Sequence, residues 1–187
     1  MVCVRNGYAV YKSPFIDGTP FALPSSNDIA TTSNAIGFRL PPSYVEFCAK
    51  YGRGTIDNLV TIWVPTIAVP DNLAAMMPVA REQLLVDIHD GFAEYPPDAD
   101  ETIAARLVPF GNSSNAHVFA WDLGDIRSGE PAVFSIGRAS LSFVRVGHGI
   151  DIFIHSILTD DVRRSLGSGY SPLRGCFKPS PIPLRET

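Results

Sequence analysis

Four short β-rich segments follow one another between residues 107 and 146, and their links constrain the fold more than any other feature of the chain. Residues 107–110 run into Gly-Asn-Ser-Ser-Asn, residues 116–121 come next, and residues 132–136 and 140–146 are joined by Gly137-Arg138-Ala139. A parallel crossover needs about a dozen residues or more, usually a helix, so these links predict antiparallel neighbours in a meander.

Upstream, Pro41-Pro42 opens a helix. Tyr44, Phe47, Cys48 and Tyr51 fall at i, i+3, i+4 and i+7, one apolar stripe, and Gly52 ends it. Proline is preorganised for the first helical turn and glycine for the position just past the last. Residues 59–69 read as a strand in which Val60, Ile62 and Val64 alternate with Thr61 and Trp63. Pro65 interrupts that run, which favours an edge or a bulge. Asp71 is placed to cap a further helix through Leu73, Met76 and Met77, continued by Leu84, Leu85 and Ile88; Pro78 inside it predicts a kink or two short helices. Ile150, Phe153, Ile154, Ile157 and Leu158 make a closing amphipathic helix. Helices packed around an antiparallel sheet of about five to six strands define an α+β fold. Residues 1–27 read as an N-terminal extension, mostly loop, with a short helix opened by Asn27 or Asp28. Residues 28–166 are the α+β domain. Residues 167–187 form a Pro/Gly-rich tail, mobile or wrapped on the surface.

The chain carries 15 Lys+Arg against 19 Asp+Glu, a formal net charge of -4, which argues against direct nucleic-acid binding. No apolar run reaches the roughly 18–20 residues that span a bilayer, so no membrane association is expected. Cys3, Cys48 and Cys176 are odd in number and lack a C-x-x-C pair, which fits a reducing cytoplasm. Cys48 reads as a small core residue.

Catalytic signatures are absent: there is no G-x-S-x-G, P-loop, G-x-G-x-x-G or H-E-x-x-H. Ser113 and Ser114, with His117 as the one base nearby, could be read as a nucleophile loop, but a polar turn between strands is the more ordinary reading. His148, Asp151 and His155 would share one side of a helix, the best metal constellation in the chain, and equally an ordinary solvated face. His89 and His117 have no partners at ligand spacing. No catalytic residue, metal site or cofactor is therefore assigned. Trp63 and Trp121 could be binding hot spots but read as core, as does the Tyr44, Phe47, Tyr51 stripe.

The chain resembles the SUKH superfamily, the Smi/Knr-type fold, at a Gly-x-x-Leu-Pro-x-x-Tyr-x-x-Phe pattern carried by Gly37, Leu40, Pro41, Tyr44 and Phe47, followed by Tyr51, Gly52 and Gly54. A second block, Pro109-Phe110-Gly111 with a following strand that ends at Asp122, is similar to the family's Pro-Phe-Gly element, and residues 150–158 to its closing helix. The resemblance assigns these motif residues to fold maintenance. It also implies a bacterial immunity protein that binds and neutralises a cognate polymorphic toxin, often a nuclease. The alternatives are a regulatory interaction module of the cell-wall signalling type and, less favoured, a metal-dependent hydrolase.

From Glu82 to Glu101 lie seven acidic residues, Glu82, Asp87, Asp90, Glu94, Asp98, Asp100 and Glu101, with no lysine or arginine. The bland reading is an exposed helix face and loop. The functional one is a docking surface for a basic toxin domain, whose cationic cleft the carboxylates would match. The sequence leaves the oligomeric state open.

Overall fold

The computed structural model describes residues 3–5, 8–90, 95, 100–137 and 142–181. Strands β1 (Cys3–Arg5) and β2 (Tyr8–Val10) pair with each other, apart from the main sheet. After β3 (Phe15–Ile16), the helix α1 (Ser26–Ile36) begins at a capping box: the Asp28 N–H donates to the Ser25 hydroxyl, and the Ser25 N–H donates to the Asp28 carboxylate. The cap is thus Ser25, two or three residues ahead of the Asn27 or Asp28 expected. Gly37 closes α1 with a φ of 81°, as a left-handed C′ residue does.

Helix α2 (Pro42–Tyr51) follows as predicted, with Tyr44, Phe47, Cys48 and Tyr51 all buried and Gly52 past its end. Then come β4 (Gly54–Ile56) and β5 (Val60–Ile62), joined by a tight turn in which Asp57 and Asn58 both take positive φ. The strand expected over 59–69 is therefore much shorter: Pro65 has no N–H to give a ladder, and after Trp63 the chain turns toward α3 (Leu73–His89). Asn72, not Asp71, caps that helix by accepting the Ala75 N–H, while both Asp71 carboxylate oxygens accept from Arg53 at 2.8 Å. Pro78 does not divide α3. It removes only the bond its own N–H would have made, and Leu73, Leu84 and Ile88 hold the helix to the core on either side.

After α4 (Glu101–Arg106) the meander appears in full: β6 (Leu107–Ser113), β7 (His117–Arg127), β8 (Glu130–Gly137) and β9 (Ser142–His148), each antiparallel to the next. The chain continues through α5 (Ile150–Ile157) and α6 (Val162–Ser165) to β10 (Cys176–Pro179). Among the described residues the main sheet has eight strands in the order β3-β10-β4-β5-β6-β7-β8-β9, and of its strand pairs only β3–β10 is parallel. The fold is α+β, and the strands of the main sheet that the sequence had not announced are β3, β4 and β10. The Pro/Gly-rich segment thus contributes a strand inside the sheet where a mobile or surface-wrapping tail was expected.

Alternation along the strands divides the core between the two sheet faces. Phe119, Trp121 and Val133 pack with Tyr44, Phe153 and Ile154 under α2 and α5. Val118, Ala120, Ala132 and Phe134 pack with Leu84, Ile88 and Ala104 under α3 and α4. Both tryptophans are core, Trp63 at 4% exposure and Trp121 at 0%.

Candidate functional site

Of the motif residues, Leu40, Tyr44, Phe47, Tyr51, Phe110 and Asp122 are buried. The Tyr44 hydroxyl donates to the Trp63 carbonyl, and the Tyr51 hydroxyl to the Pro14 carbonyl at 2.8 Å. Leu40 and Phe47 are buried beside them. Pro41 is the N-cap of α2 and Pro42 its first residue. A β-carbon at Gly52 would lie 2.1 Å from the Phe21 carbonyl oxygen, at Gly54 2.4 Å from that of Lys178, and at Gly111 2.5 Å from that of Thr61. Pro109 and Gly111 flank the register shift in β6, and Phe110 between them stacks on Trp121 with ring centres 4.5 Å apart. Asp122 is buried and accepts two bonds of 2.7 Å from the fork of Arg106. Burial pushes its carboxyl up, but Arg106 and the Gly124 N–H outweigh it and hold the pKa below 3.8.

The chemical constellations resolve differently. His148 ends β9 instead of joining the helix, and its Nε2 sits 3.2 Å from Asp125. His155 is buried, edge-on to Tyr11, with Nδ1 accepting the Lys12 N–H at 2.9 Å. Asp151 lies exposed in the first turn of α5. The three are not brought together, and among the described residues no group of three or more ligand side chains could hold a metal. Ser113 and His117 do meet, Oγ to Nδ1 at 3.1 Å, while the Ser113 hydroxyl also accepts the His117 N–H at 3.0 Å. That pair clasps the turn between β6 and β7. Burial lowers the His117 pKa, opposed by a bond to the Leu166 carbonyl.

One polar cluster had no sequence signal. Between Asp122 and Ile126 the β7–β8 register jumps, and Asp125 in the jump gathers Arg145, His148 and Arg127. Its members lie 20 and 23 residues apart for Arg145 and His148, a proximity only the meander creates.

The acidic run spreads over two helices. Glu82, Asp90 and Glu101 are exposed on α3, its C-cap and the first turn of α4. Asp87 accepts from Gln83 at 2.8 Å. Asp100 caps α4 by accepting the Ile103 N–H. Glu94 and Asp98 lie outside the described residues. Beside the carboxylates the structure adds apolar side chains that the sequence reading had not placed on the surface: Val79 is 63% exposed, Val86 48% and Leu85 37%. Leu85 belonged to the expected core stripe. The available signal was the run Leu84-Leu85-Val86, since three successive residues of one helix cannot all face the same core.

An eight-stranded α+β sheet held by a Pro-started α2, a Pro-Phe-Gly bulge and a forked Asp122 defines a SUKH-type domain. A family model described as SMI1-KNR4 cell-wall matches residues 26–154, and the chain belongs to that family of the SUKH superfamily. The match leaves β3 and β10 outside it. No curated protein matches the chain. Among the described residues no helix is long and apolar enough to cross a membrane.

Proposed function

We propose that this chain is an immunity protein, binding and neutralising a cognate polymorphic bacterial toxin in a one-to-one complex in the cytoplasm, with a basic nuclease domain the partner that best fits its charge. The reading rests on one observation: a chain of this family exposes Glu82, Asp90 and Glu101, and from residue 82 to residue 101 it contains no lysine or arginine. A nuclease keeps a cationic cleft for its phosphodiester substrate. An acidic inhibitor surface accelerates encounter with that cleft and presents carboxylates where phosphates would sit, with no bond to cleave.

The test is affinity capture of the tagged protein from its own cells at low salt, followed by mass spectrometry. A stoichiometric partner that is the C-terminal part of a large secreted protein, and is toxic when expressed alone, is the expected result. Recovery of signalling proteins alone would replace the immunity reading with a regulatory module. With the toxin in hand, Glu82→Lys and Asp90→Lys together should slow association at low salt, and unchanged kinetics there would remove the electrostatic argument.

A further inference from the structure

Helix α3 is apolar on two sides. Leu73, Leu84 and Ile88 are buried against the sheet, as one amphipathic face requires. The opposite side carries Pro78, Glu82, Leu85 and His89, which succeed one another at helical spacing, with Val86 beside them. Together with Met77 and Arg81 these residues line a shallow groove of about 510 Å³. Exposed aliphatic residues are ordinary when scattered, but a contiguous set with a polar rim marks an interaction surface.

Charge decides between occupants. A second copy of the chain seated on this groove by two-fold symmetry would bring together two copies of α3 and its C-cap, whose Glu82, Asp87 and Asp90 outnumber Arg81. A cationic partner meets Arg81 in the groove, but gains from Glu82 beside it and from Asp87 and Asp90, which leave α3 and its C-cap net negative.

We infer that the outer face of α3 is the seat of a basic protein partner, which places an aliphatic or aromatic side chain in the groove between Pro78 and Leu85 and a lysine or arginine against Glu82. This deepens the immunity reading, since it rests on the protein acting by binding a basic protein, and it divides the labour. The carboxylates set the speed and salt dependence of encounter, while the apolar groove sets how long the complex lasts. Residues at the centre of such a face, here Leu85 and Val86, are where substitution costs most.

The probe is an amidated peptide of two Lys-Leu-Ala-Lys-Leu-Ala-Lys blocks, an amphipathic helix with leucines on one side and lysines on the other. Control peptides carry Ser for Leu or Glu for Lys. Titrated into isotopically labelled protein, the Leu/Lys peptide should give saturable amide shifts centred on residues 77–89. The Ser peptide should bind at least tenfold more weakly, and the Glu peptide should not bind. Leu85→Lys and Val86→Lys should each weaken the Leu/Lys peptide at least tenfold with the melting temperature unchanged. Equal binding of the Ser peptide would reduce the face to charge alone, and shifts centred elsewhere would move the site. A dimer by light scattering that Leu85→Lys converts to monomer would make a second copy the occupant. Each of these overturns the inference. Failure of the immunity reading looks different: capture recovers no toxin while the peptide still binds α3. Conversely, a recovered toxin whose affinity is unchanged by Leu85→Lys keeps that reading and refutes the α3 seat.

Discussion

Replacing Phe177 by alanine tests the least foreseen part of the fold, the strand β10. Phe177 is 2% exposed, its ring centre lies 5.1 Å from that of Tyr51 and 6.2 Å from that of Phe47, and its carbonyl accepts the Asp17 N–H at 2.8 Å. The side chain therefore joins the C-terminal strand to α2 and hence to the main core. Truncating a fully buried phenylalanine costs about 3–5 kcal/mol, the transfer of the ring plus the cavity it leaves. Against a total stability of about 5–15 kcal/mol that is a large fraction. For a chain of this size it corresponds to a fall in melting temperature of roughly 6–20 °C. Urea unfolding is the assay: the midpoint should drop with the slope unchanged, because the same surface is exposed on unfolding. Lys178→Ala, one residue on and exposed, is the control and should stay within about 0.5 kcal/mol of the parent. If the two variants unfold alike, near the parent, residues 176–179 are not in the sheet and the eight-stranded description is wrong.

Three further outcomes are expected. Gly52 has a φ of 65° and no room for a β-carbon, whereas Gly37 has a φ of 81° with open space around it. Gly37→Ala should therefore cost about 1–2 kcal/mol, the left-handed penalty alone, and Gly52→Ala clearly more; equal losses by thermal melting would refute the steric argument. Asp122→Asn removes the charge from the Arg106 fork and should cost about 1.5–3 kcal/mol, read as a lower urea midpoint, and a loss under 0.5 kcal/mol would mean that the fork is not formed. For pH, His117 is held below its usual 6.5 by burial, and His148 by burial and then by Arg127 and Arg145. Below about 6.5 the unfolded chain binds protons the folded chain refuses, so stability falls as pH drops from 7 through 5, before Asp28, Asp71 and Asp122, with pKa values under 3.8, begin to titrate. The double variant His117→Gln, His148→Gln should flatten that slope in a series of urea midpoints; an unchanged slope would place its origin elsewhere.

How far the sequence carried depended on whether a signal was local. Helix α2 was legible end to end because Pro42, the apolar stripe and Gly52 are consecutive marks of one element. The meander was legible because its links are short. Helix α1 was mostly hidden: Ser26–Ile36 is polar and only Thr32 within it is buried, so no stripe announced it. Strand β10 was hidden for another reason. It has four residues, one of them buried, and its neighbours β3 and β4 lie far away in sequence, so nothing nearby distinguishes it from loop. Of the candidate surface, the charges were legible and the exposed Val79, Leu85 and Val86 were not, because an apolar residue on a helix reads as core until the packing shows which face is taken.

The place of β10 between β3 and β4 also sets a schedule for synthesis. Phe15–Ile16 finds no strand neighbour in the main sheet until Cys176 and Phe177 have been made, 161 residues later, counting from Phe15 to Cys176. At translation rates of about 5–20 residues per second that is roughly 8–30 s. Through that interval the nascent chain carries an unpaired strand bearing Phe15, a side chain that stays 58% exposed even in the finished fold. A contact this distant is also slow to close from the unfolded chain, because the long loop must be ordered before the pairing can reward it. A freshly made molecule therefore becomes complete later than its meander does, and α3, which packs on β6, has time to form first.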